Sequence, residues 1–134
     1  MTRQIKFRIY NNKQNKWVHG PGNEVNLFGE TILFGAFMNN VPTEELNDCV
    51  ALEYTGLTDK NGKEIYEGDI LMYKTGSIPT TGVIGQVLYE ADEGGYIFQW
   101  ERKGPNQHHI NLNCDVAFES VIVGNILENP ELLK

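Results

Sequence analysis

The stretch Tyr54–Leu71 (YTGLTDKNGKEIYEGDIL) constrains the fold more than any other part of the chain. Cys49-Val50-Ala51-Leu52-Glu53-Tyr54-Thr55 enters it with strand character. Asp59-Lys60-Asn61-Gly62 follows, and its Asn-Gly pair suits the positive φ values of a type I′ turn. Lys63-Glu64-Ile65-Tyr66 leaves that turn, and Glu67-Gly68-Asp69 bends the chain again before Ile70-Leu71-Met72-Tyr73-Lys74. Reversals this close together favour short strands over helices.

The rest of the chain has the same texture. Ile5, Phe7 and Ile9 share one face of a strand, with Lys6, Arg8 and Tyr10 on the other, giving the alternation of a half-buried strand. A polar turn, Asn11–Lys16, leads to a return arm at Trp17-Val18-His19. Val83–Glu90 and Tyr96–Glu101 form a second hairpin around Ala91-Asp92-Glu93-Gly94-Gly95, with Gly85 marking a bulge or a close backbone approach. Gly104–His109 reads as a loop. Val116–Leu127 reads as one last strand, apolar on both faces in its later half and therefore central or covered. Asn129 and Pro130 suit the cap and first position of a closing helical turn. Residues 20–48 carry two apolar segments and an acidic helix-start pattern around Thr43, and their spacing does not decide the conformation.

A chain of 134 residues fits one domain with a core, burying roughly two thirds of its unfolded surface. The net charge of −7 disfavours strongly acidic partners, since affinity for phosphate backbones rests on Lys and Arg. One local exception exists. Arg3, Lys6, Arg8, Lys13 and Lys16 precede the first acidic residue, Glu24, and read as a solvated face or edge, with nucleic-acid contact as the sharper alternative. No apolar run approaches the ~20 residues of a membrane span and the N-terminus lacks a signal core, so a cytoplasmic location is the expectation. Cys49 and Cys114 then read as reduced, buried small hydrophobes.

Catalytic and metal motifs are missing from the sequence. It has no phosphate-binding glycine loop, no nucleophile elbow and no zinc quartet, and no cofactor is implied. His19 has no partner at a known motif spacing, and adjacent His108 and His109 point to opposite faces of an extended chain. Glu44, Glu45 and Asp48 have no metal-ligand spacing. Glu64, Glu67 and Asp69 are the best-placed carboxylates for acid–base or cation chemistry, but turn formation and solubility explain them too. Tyr73, Tyr89, Tyr96, Phe98 and Trp100 fall on adjacent strands, where they either fill the core or offer rings for stacking bases or gripping peptides.

Three stretches bear a resemblance to a known family: Ile5-Lys6-Phe7-Arg8, the Tyr54–Leu71 block, and Val123-Gly124-Asn125-Ile126-Leu127-Glu128-Asn129-Pro130-Glu131-Leu132-Leu133. Together they resemble the YopX family of phage and prophage proteins. Segments 20–48 and 75–115 match it only loosely. The resemblance implies a mainly β fold with an SH3-like small β-barrel over about residues 67–127, preceded by an N-terminal β-hairpin region, with at most short helical turns. On that plan one domain covers 1–134, with 1–58 as the N-terminal β region and 59–134 as the barrel portion. No enzymatic activity comes with the resemblance. The expectation is a non-enzymatic phage accessory protein that binds protein or self-assembles into a homo-oligomer. The alternative is a nucleic-acid-binding protein that uses Arg8, Lys13 and Lys16 of the hairpin with the aromatics Tyr73, Tyr96 and Trp100.

Overall fold

The computed structural model describes residues 7–17, 49–74, 82–100 and 108–133. The readings made above for Arg3, Ile5, Lys6, His19 and residues 20–48 lie outside them, as does the side chain of Cys49. The protein is mainly β, and it divides into two compact units, Met1–Gly56 and Leu57–Lys134.

In the first unit, β1 (Phe7–Asn11) forms a hairpin with β2 (Lys16–Trp17) and pairs antiparallel on its other side with β3 (Cys49–Thr58). The side chain of Asn11 shapes the hairpin turn by accepting from the N–H groups of Lys13 and Gln14, and Asn15 takes the left-handed φ of 53°. The half-buried alternation expected of β1 needs correction. Ile9 is buried, but so is Tyr10 on the opposite face. The cause is Trp17, directly opposite Tyr10 in the register, whose ring meets that of Tyr10 edge-on at 4.9 Å and also carries the Arg8 guanidinium.

The second unit begins with the end of β3, which leads through a turn into β4 (Glu64–Tyr66). That turn is not type I′. Gly62 alone has a positive φ (81°), and the bonds run from Gly62 N–H to the Asp59 carbonyl and from Asp59 N–H to the Lys63 carbonyl. The carboxylate of Asp59 makes this geometry, because its Oδ1 accepts from the N–H groups of both Asn61 and Lys63. The Glu67-Gly68 corner follows as expected, with Gly68 at φ 87°. Gly68 also stitches the sheet, donating its N–H to the Val87 carbonyl and accepting from Ile126 N–H.

Five antiparallel strands then form one sheet in the order β8-β7-β6-β5-β9. They are β5 (Asp69–Tyr73), β6 (Val83–Glu90), β7 (Gly95–Trp100), β8 (His108–Asn111) and β9 (Ser120–Asn125). The β6–β7 hairpin forms around a 3₁₀ turn at Ala91–Glu93, closed by Gly94 at φ 70°. This order is compatible with the small barrel that the resemblance implies. One face of the sheet carries the core: Leu71, Val87 and Phe98, covered by Ile65, Leu112, Val116 and Ala117.

Several expectations fail in the last third. Val116–Leu127 is not one strand. Cys114–Phe118 is a short helix, α1, capped by Asn113, whose side chain accepts from Val116 N–H, and Ser120 Oγ donates back to the Val116 carbonyl. Helical geometry turns Val116 and Ala117 inward, which leaves Cys114 free and exposed, not buried. β9 is an end strand of the sheet, not a central one. Its outer edge is nonetheless held, by Lys60 N–H to the Ser120 carbonyl and by Ile122 N–H to Asp59 Oδ2. His108 and His109 lie in a strand, not a loop, because their register with Trp100 and Gln99 extends the meander. The chain closes in a 3₁₀ turn at Pro130–Leu133, and the Asn129 side chain reaches back to Asn125 N–H.

Candidate functional site

The sequence-derived candidates separate into three places. Arg8, Lys13 and Lys16 belong to the first unit. Lys13 and Lys16 are exposed around the β1–β2 turn, while Arg8 lies half-buried with its guanidinium 4.5 Å from the centre of the Trp17 ring. The stack orients a cation that would otherwise sample many rotamers. It also uses a face of the indole, leaving that face no room for a base or a peptide ring.

The aromatics Tyr73, Tyr96 and Trp100 line the core and are half-buried. They pack against the buried cluster around Phe98. Tyr73 meets Phe98 edge-on at 5.8 Å, Phe98 stacks on Trp100 at 5.6 Å, and Trp100 stacks on His108 at 5.7 Å. Gly85 permits this row. A Cβ there would stand 2.8 Å from the Phe98 ring and 2.3 Å from the Gln99 carbonyl oxygen, so the close approach expected at this glycine is present. Tyr89 differs: it meets Tyr96 edge-on but is 54% exposed.

The carboxylates Glu64, Glu67 and Asp69 surround the Gly68 corner. Asp69 is buried, and its Oδ2 accepts from Tyr66 N–H at 2.8 Å, closing the turn it ends. Glu64 and Glu67 are half-buried and have partners of their own. Among the described residues, no group of three or more His, Cys, Asp or Glu side chains is arranged to hold a metal ion. His109 points away from His108 and toward Glu93, at 3.2 Å.

A further surface escaped the sequence reading. On the sheet face opposite the core, Met72 on β5 lies directly across from Ile84 on β6 and from Val121 on β9. Met72 is 38% exposed and Ile84 43%, and Val123, at the register shift of β9, is 39% exposed. The apolar row thus crosses three strands. The run Ile70-Leu71-Met72-Tyr73 is apolar throughout, so its alternation between core and solvent leaves no trace in composition. Elsewhere on this face Ile70 is fully buried, and Gly124 beside it faces Asn129 and Leu132 of the closing turn.

The model of the YopX protein family matches residues 6–134, nearly the whole chain. The chain belongs to the YopX family. The fold is also similar to the crystal structure of protein EF1440 from Enterococcus faecalis, with a TM-score of 0.54 and 22% identity over 97% of this chain and 98% of that one. No curated protein matches the chain. Among the described residues of this YopX protein, no helix is long and apolar enough to cross a membrane.

Proposed function

We propose that this YopX protein is a non-enzymatic phage or prophage accessory protein that works in the bacterial cytoplasm by binding protein. The observation that carries the reading is the row Met72, Ile84 and Val121. Apolar side chains aligned across three strands, with Met72 and Ile84 more than a third exposed and Val121 half-buried beside them, are the kind of surface that protein contact covers, at roughly 25 cal/mol per Å² removed from water. Structural roles support the reading at three of the singled-out residues: Asp69 closes a turn, and Trp100 and Tyr73 pack on the core.

The nucleic-acid alternative keeps its cations at the hairpin, but its aromatics Tyr73, Tyr96 and Trp100 are half-buried against the core, which leaves less ring face open to stack on bases. Two parallel assays separate the readings. Tagged protein recovered from prophage-induced host cells should bring a stoichiometric protein partner with it. Mobility-shift series on single- and double-stranded DNA should show no retardation even at low salt. Retardation that weakens with salt, together with no protein partner, would contradict the proposal.

A further inference from the structure

The five-stranded sheet has one edge closed and one open among the described residues. β9 is closed by the Asp59 turn, while β8 is the end strand at the other side and its ladder runs to β7. The register fixes what β8 displays. Leu112 N–H donates to the Tyr96 carbonyl, and Ile110 and His108 stand opposite Phe98 and Trp100. Hydrogen-bonded pairs alternate with non-bonded pairs in an antiparallel ladder, so Leu112, Ile110 and His108 direct their backbone groups toward β7. His109 and Asn111 direct theirs outward. The strand His108-His109-Ile110-Asn111 also lacks the Lys and Pro that commonly guard an edge.

We infer that β8 pairs antiparallel with β8 of a second copy of this chain, about a two-fold axis through Ile110. The inference rests on the protein-binding reading and names one partner for it. The outward groups are self-complementary in that register. His109 lies opposite the second copy's Asn111 and Asn111 opposite its His109, each pair exchanging two N–H···O bonds. Ile110 meets its own counterpart in the non-bonded central pair, where side chains come closest. A shift by one residue would set the core face of one sheet beside the outer face of the other. Because the Asp59 turn holds the β9 edge, the assembly stops at two sheets and does not grow into a fibre. A contact built on one four-residue strand is small, so the dimer is weak and concentration-dependent.

Sedimentation equilibrium on the purified chain, from micromolar to near-millimolar concentration, tests this against Asn111→Pro. That substitution deletes an outward N–H and no bond to β7, so it should weaken association by at least about tenfold while leaving the unfolding transition in place. A second variant keeps the test independent of how well proline is tolerated. Ile110→Cys in a Cys49→Ser/Cys114→Ser background should form a disulfide-linked dimer on mild oxidation, since a non-bonded pair brings its Cα atoms to about 4.5 Å. A wild-type monomer throughout the range, or no Ile110→Cys cross-link, overturns self-pairing. Either result leaves the wider protein-binding reading standing, because that reading is judged by loss of a partner on substitution of Met72 and Ile84.

Discussion

Asp59 and Ile122 stand 63 positions apart in the chain and are joined by one hydrogen bond, the Ile122 N–H donating to Asp59 Oδ2 at 3.0 Å. The other carboxylate oxygen shapes the β3–β4 turn, so one buried side chain fixes a local reversal and closes a distant strand edge. Replacing Asp59 by Ala orphans three backbone N–H groups. We expect a loss of about 3 kcal/mol, since bonds to charged acceptors are worth roughly 1.5–3 kcal/mol each and do not add fully. Asp59→Asn keeps an acceptor oxygen and should lose less. Urea unfolding checks both, and Asp59→Ala within 1 kcal/mol of wild type by the same measure would remove the clamp from the account.

Two glycines in one hairpin should respond unequally. Gly85→Ala places a methyl group against the Gln99 carbonyl and the Phe98 ring, and overpacking of that kind costs about 1–3 kcal/mol. Gly95→Ala meets nothing within 4 Å and should stay within about 0.5 kcal/mol of wild type. Thermal unfolding of the pair gives the comparison, and equal effects would contradict the packing described around Phe98.

Gln86 offers a prediction of unusual sign. It is 1% exposed, and its Nε2 has no hydrogen-bond partner. Burying an amide donor without a partner costs about 1–3 kcal/mol, so Gln86→Met, of similar length and apolar, should hold or raise stability. A loss above 2 kcal/mol in urea unfolding would mean that the amide is satisfied in solution.

These predictions mark where the sequence was legible and where it was not. The hairpins around Asn15 and Gly94, the Gly68 corner and the close approach at Gly85 followed from local chemistry, because turn residues and alternation act over a few positions. α1 was hidden because its apolar run, Val116-Ala117-Phe118, is short, and such runs do not separate helix from strand. Its signal was Asn113 with an acid at Asp115, a cap that a strand reading passes over. The Asp59–Ile122 bond and the end position of β9 are non-local, and neither spacing nor composition carries them. The same holds for the candidate site. Core packing was one of the two readings open for Tyr73 and Trp100, and the structure packs both against the core, while Met72 and Ile84 were visible as apolar but not as exposed.

The core assignment has its own test. Trp100→Ala removes a ring stacked between Phe98 and His108 and should cost about 2–4 kcal/mol in urea unfolding, as large-to-small core changes do. Loss of partner binding with stability unchanged would instead place Trp100 on the working surface.

The most direct measurement on the central claim is capture of the protein partner by wild type and by the double variant Met72→Glu/Ile84→Glu, both first shown to unfold at the same urea concentration. Both side chains are more than a third exposed, so the substitutions should leave the fold in place. We expect the partner to be recovered with wild type and lost with the double variant. Equal recovery by the two proteins would contradict a binding surface on the outer face of the sheet.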